Sequence, residues 1–93
     1  MTELTLESCV KLSPDVLFQE LQGDGVLLDM KSGVYFGLDR VGTRIWQLMA
    51  EPKPLAAVVA AMLEEFDVTK DRCSEDVLTL ARKLAEQGLL SAE

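Results

Sequence analysis

The sequence predicts an α+β domain of winged helix-turn-helix type, in which a three-stranded antiparallel sheet is followed by a three-helix bundle. Three observations predict it. Apolar residues recur by twos up to Leu38 and at helical spacing beyond Asp39; turn residues punctuate the first part every few positions; and the connections are short enough to make sequence neighbours spatial neighbours. With 93 residues, 48% of them hydrophobic, the chain can build one core but not two, so residues 1–93 are expected to form a single domain.

Leu4, Leu6, Ser8, Val10 and Leu12 alternate with Thr5, Glu7, Cys9 and Lys11, the period of a half-buried strand. Residues 1–12 are therefore an extra strand or an N-terminal arm able to pair with the first strand of the sheet. After Ser13-Pro14-Asp15, three runs follow: Val16 to Gln22, Val26 to Met30 and Val34 to Leu38. Gly23-Asp24-Gly25 and Lys31-Ser32-Gly33 separate them, which makes a meander of two hairpins. Alternation puts Val26, Leu28 and Met30 on one face, likewise Val34, Phe36 and Leu38, with Leu27, Asp29, Tyr35 and Gly37 on the other. The first of these faces is expected to lie on the helices.

Asp39 is suited to cap a first helix, whose Val41, Ile45, Leu48 and Met49 form an apolar stripe with Trp46 on its flank. Glu51-Pro52-Lys53-Pro54 ends it, and Pro54 suits the first turn of a second helix built on Leu55, Val58, Val59, Met62, Leu63 and Phe66. Asp67 to Ser74 reads as a polar connection, with Ser74 capping a third helix that stops at Gly88 and leaves Leu89 and Leu90 as an apolar tail.

The inventory excludes several chemistries. There is no His, so a His-dependent base, a His metal site and a Ser-His-Asp triad cannot be built from this chain. Cys9 and Cys73 lack metal-site spacing and read as buried or half-buried thiols. The three glycines at 23, 25 and 33 are hairpin residues, without the strand-to-helix context of a phosphate loop. No metal or cofactor is expected, and the chain reads as a protein without catalytic activity. The formal charge is -7, spread as six acidic against two basic groups in residues 1–38, four against three in 39–66 and six against four in 67–93. A nucleic-acid binder draws most of its affinity from clustered Lys and Arg, so a winged-helix DNA regulator is a minor alternative. An acidic N-terminus and the lack of a long apolar run point to a cytoplasmic protein without a membrane partner.

The informative feature is a sheet edge. Val34-Tyr35-Phe36-Gly37-Leu38 carries none of the charges or prolines that usually blunt an edge strand. Either a helix or another copy of the chain covers it, or an extended peptide adds to it as a further strand. On the third helix, Val77, Leu80, Ala81 and Leu84 form the core stripe, and Leu78 and Ala85, beside Arg82 and Lys83, widen the apolar sector. That width means burial on two sides or one wall of a groove, in which Ala81 and Ala85 leave room and Arg82 offers a charge. Tyr35 is a half-exposed sheet residue or a recognition group. Trp46 and the Met residues read as core, and Glu64-Glu65 as a solvated helix edge.

The segments Val26-Leu27-Leu28-Asp29, Gly33-Val34-Tyr35-Phe36-Gly37-Leu38-Asp39 and Gly42-Thr43-Arg44-Ile45-Trp46-Gln47-Leu48 together resemble the PqqD-like family, and the likeness extends over roughly residues 10–90. Asp39 stands where Asn is common, and Pro54 where Ser or Thr often caps. The resemblance implies a recognition element for ribosomally made, post-translationally modified peptides, which docks a precursor's leader antiparallel on the third strand against the third helix. Carried onto this chain, it selects Gly33, Val34, Tyr35, Phe36 and Gly37 for main-chain pairing and Val77, Leu78, Ala81, Arg82 and Ala85 for the opposite wall. The implied partners are a precursor leader peptide and a leader peptidase, as in stand-alone lasso-peptide leader-binding proteins. A PqqD-type chaperone serving a radical-SAM enzyme is the alternative. The open edge also makes a homodimer plausible.

Overall fold

The computed structural model describes residues 4–92, so residues 1–3 of the expected arm and residue 93 lie outside the described residues. The elements follow in the order β1 (Val10–Leu12), β2 (Val16–Leu21), β3 (Asp24–Asp29), β4 (Tyr35–Leu38), α1 (Arg40–Leu48), α2 (Leu55–Glu65), α3 (Lys70–Glu86) and β5 (Leu90–Ala92). The antiparallel sheet β2-β3-β4 and the three helices form the expected α+β arrangement, compatible with a winged helix.

The first hairpin is tighter than its sequence suggests. Gln22 and Gly23 alone make the turn, with φ of 54° and 92°, the left-handed backbone that matches the twist of a two-residue hairpin. Asp24 and Gly25 therefore belong to β3. A Cβ at Gly25 would lie 2.7 Å from Thr43 Oγ1 and 2.8 Å from a Phe18 ring carbon, so β3 passes α1 at backbone distance.

The faces of β3 are the reverse of those expected. Leu27 pairs with Phe18 on one side and Phe36 on the other and is fully buried, whereas Val26, Leu28 and Met30 turn away from the helices. Directly opposed residues share a face, and the register Leu27↔Phe36 carries Gly25, Leu27, Phe36 and Leu38 inward together. The outer face holds Leu17 and Tyr35, 53% and 69% exposed, with half-buried Val26 and Leu28 between.

In α1, Asp39 Oδ1 accepts from Gly42 N at 2.7 Å, the predicted cap. The buried stripe runs through Gly42, Thr43, Ile45, Trp46 and Met49, while Val41 remains 37% exposed. Trp46, beside the predicted stripe, is core as expected. Pro54 begins α2 without a side-chain cap; the first donors are satisfied instead by the N-terminal arm, Leu55 N to Ser8 O at 2.9 Å and Ala56 N to Leu6 O at 2.8 Å. Leu55, Val58, Val59 and Met62 are buried, as their spacing requires. The third helix starts a turn before Ser74, because Thr69 Oγ1 accepts from Arg72 N at 3.3 Å and the buried Cys73 already needs a helical position.

Gly88, at φ 75°, turns the chain back, and Leu89 N donates to Leu84 O at 2.9 Å. The tail then becomes β5 and pairs with β1, Leu12 opposite Leu90. The arm therefore joins the two ends of the chain and leaves β2 alone, a correction to the pairing expected from its alternation. The reason is apolar burial: Val10, Leu89 and Leu90 all enter the core cluster with Leu4, Leu27 and Leu84. Cys9 is half-buried and Cys73 buried, both as free thiols. Burial, followed by the charge of Asp76, pushes the Cys73 thiol up from its ordinary value. No helix among the described residues is long and apolar enough to cross a membrane.

Candidate functional site

The residues that decide the site are backbone atoms. Among the described residues β4 has β3 as its single neighbour. Asp29 N donates to Val34 O at 3.0 Å, and the alternation of an antiparallel ladder then makes Leu27:Phe36 and Gly25:Leu38 the pairs that exchange hydrogen bonds. The N–H and C=O groups of Tyr35 and Gly37 consequently point away from the sheet. By the same alternation the outer groups of β2 belong to Val16, Phe18 and Glu20. That edge carries the Glu20 carboxylate, which accepts from Gln47 Nε2 at 2.8 Å. Charge guards one edge; nothing comparable guards the other.

The turn that delivers β4 is fixed locally. Asp29 Oδ1 accepts from Lys31 N at 3.1 Å, Asp29 Oδ2 from Ser32 Oγ at 2.8 Å, and Ser32 Oγ in turn accepts from Val34 N at 3.3 Å. The Ser32 hydroxyl first, then the Lys31 N–H, holds the Asp29 carboxyl below the usual carboxylate range. Gly33, at φ 76°, closes the turn with its N–H on Asp29 O at 2.7 Å.

Beside β4 runs α3, in the opposite direction. At the start of the strand, Val34 and Phe36 face Gln87 and Leu89 across a crevice of about 10 Å³ that also touches Asp29 and Ser32. Beyond its end, the chain opens into a groove of about 410 Å³ between Val41, Gly42 and Ile45 of α1 and Arg72, Asp76, Leu80 and Lys83 of α3. Gly42 forms its floor, since a Cβ there would already contact Leu38 and Leu80 side chains at 3.5 and 3.6 Å. At helical rise the wall from Arg72 to Gln87 spans about 22 Å, and β4 with its flanks about 17 Å. A segment of five or six extended residues fits that length. Arg72 pairs with Asp76 at 3.5 Å on the rim.

The structure brings together only part of the expected site. Tyr35 and Gly37 are exposed on the outer face, Val34 is 53% exposed, and Phe36 is half-buried toward the crevice. On the helix, Val77 and Ala81 are fully buried in the core, so neither presents a side chain to a visitor. Leu78 and Ala85, half-buried against the core, and the exposed Arg82 stand on the flank of α3 beyond the buried Cys73-Val77-Ala81-Leu84 stripe, away from β4. On α3, Asp76, Thr79, Leu80 and Lys83 line the groove beyond the end of β4, and Gln87 lines the crevice at its start. Leu80 was legible as part of the apolar stripe, but helical spacing gives two flanks and no means of telling which one the sheet takes. Among the described residues no group of three or more His, Cys, Asp or Glu could hold a metal ion.

With this geometry in place, likenesses to known proteins acquire meaning. The family model described as coenzyme PQQ synthesis protein D (PqqD) matches residues 24–90. Among solved structures, the chain is similar to TbiB1 in complex with the TbiA(beta) leader peptide, with 37% identity, a TM-score of 0.80, and 87% of this chain and 94% of that one covered. It is also similar to lasso peptide synthetase B1 complexed with the leader peptide, with 26% identity, a TM-score of 0.78, and 88% and 96% covered. Among curated proteins nothing matches.

Proposed function

Because the chain belongs to the PqqD family, we propose that it is a non-catalytic recognition domain, over residues 1–93, which binds the leader of a ribosomally made precursor by strand addition to β4. The observation that carries this reading is the pairing of an unguarded edge at Tyr35 and Gly37 with a groove of matching length, in a fold shared with two leader-bound proteins. Main-chain bonds supply affinity, and the groove beyond Asp39 supplies sequence preference. We further infer that the captured precursor belongs to a lasso-peptide pathway and is handed, in the cytoplasm where it is made, to a leader peptidase. The family description, a coenzyme synthesis protein, favours a second reading within cofactor synthesis; in that reading the chain would be a chaperone that presents its peptide to a radical-SAM enzyme. Without peptide, the same edge is where a second copy would pair, and leader should compete with it.

The test is an NMR titration with synthetic TbiA(beta) leader. The amides of Tyr35 and Gly37 should gain protection from exchange, with shifts gathered along β4 and the Asp76–Gln87 face of α3. Shifts scattered evenly over the surface, or unprotected Tyr35 and Gly37 amides in a saturated complex, would overturn the proposal.

A further inference from the structure

An added strand presents every second side chain to the outer face of the sheet, and this molecule has kept a place open for one of them. Gly37 lies on that face with no atom within 4 Å of where its Cβ would be. Its neighbour on β3 is Val26, half-buried, and the next outward residue along β4 is Tyr35, 69% exposed. The result is a notch one residue wide, floored by backbone, with an aliphatic wall on the β3 side and an aromatic ring at one end. The φ of Gly37 is not positive, so the backbone does not require glycine here. Glycine weakens a strand interior, and close approach by a ligand or another backbone is one of the uses that offset this.

We propose that the outward residue of the leader opposite Gly37 is a large aromatic or β-branched side chain that crosses the notch and packs on Val26 and Tyr35, and that this contact fixes the register of the bound strand. The inference rests on strand addition to β4. Tyr35 and Gly37 present the outward hydrogen-bonding groups, so the leader residues opposite them share their face, while those opposite Phe36 and Leu38 turn into the groove. The incoming strand and β3 lie about 9.6 Å apart, two strand spacings. Side chains at that distance meet only if position 37, between them, carries none. A large residue across from a strand glycine also covers backbone that the glycine leaves wet. Sliding the leader by two residues would keep all main-chain bonds and lose this contact, which is how one side chain selects one register.

An mRNA-displayed library of random 20-residue peptides can be panned in parallel on the wild type, Gly37→Thr and Val26→Ala, with circular dichroism melts confirming that each variant folds. Binders are aligned by the amides they protect on β4. Wild-type binders should hold a large aromatic or β-branched residue opposite Gly37 and give nuclear Overhauser contacts from it to the Val26 methyls. Its truncation to Ala should cost about fivefold in affinity on the wild type and under twofold on either variant. Equal preferences and equal truncation losses on all three proteins, with Tyr35 and Gly37 amides still protected, would overturn the notch and leave strand addition standing. Binders that protect neither amide would overturn both.

Discussion

Asp29 and Ser32 show how single side chains set the site without touching a ligand. The Ser32 hydroxyl donates to one carboxylate oxygen and accepts from Val34 N, so the residue before β4 is held by the turn it leaves. Because the Asp29 carboxyl is held below its ordinary range in the folded chain, its contribution to stability is present above the unfolded carboxylate value and is lost as pH falls through the depressed folded one. Ser32→Ala removes the largest cause of that depression. The Asp29 carboxyl should then titrate at higher pH, seen by carbon-detected NMR, and the acid-induced fall in Tm, which still starts near the unfolded carboxylate value, should be smaller and level off at higher pH than in the wild type. Glu65 works in the same direction elsewhere: Arg44, bonded to it at 2.7 and 2.9 Å, lowers it. None of these pairings follows from the sequence, where Ser32 reads only as a turn residue.

At the scale of elements, the middle strand is where period-two reading fails, for a definable reason. Val26-Leu27-Leu28 is apolar on both faces, so alternation alone cannot choose an inside. The choice falls to Gly25, whose missing side chain lets β3 lie against Thr43 and Phe18, and to the two-residue turn that starts the strand two residues early, at Asp24. Leu27→Ala should therefore cost about 2–5 kcal/mol in urea unfolding, as for a fully buried leucine, and Leu28→Ala under about 1 kcal/mol. Comparable losses for the two would contradict the register. The helices were more legible: the stripes of α2 and the Asp39 cap follow from spacing and residue type. The start of α3 did not, since Thr69 and Ser74 are both acceptable caps and only the burial of Cys73 separates them.

For the whole molecule, the relation between α3 and β4 decides what the groove can hold. Its wall presents Leu80 and Lys83, while Arg82 faces elsewhere. Leu80→Glu should weaken leader binding by tenfold or more, the loss of one apolar anchor worth roughly 1.5 to 3 kcal/mol, whereas Arg82→Glu should change it less than twofold; calorimetric titration distinguishes them. The alternation of the first third, the stripes of the last two and the acidic charge determined by themselves the α+β order, the unguarded strand at Tyr35 and the weakness of any nucleic-acid reading, because each depends on local spacing or on a sum. Which flank of α3 faces the edge, which side of β3 is buried, and the closing of β1 on β5 were decided by tertiary structure alone. They depend on how elements distant in sequence share one core, and an apolar stripe records that a face is buried without recording against what.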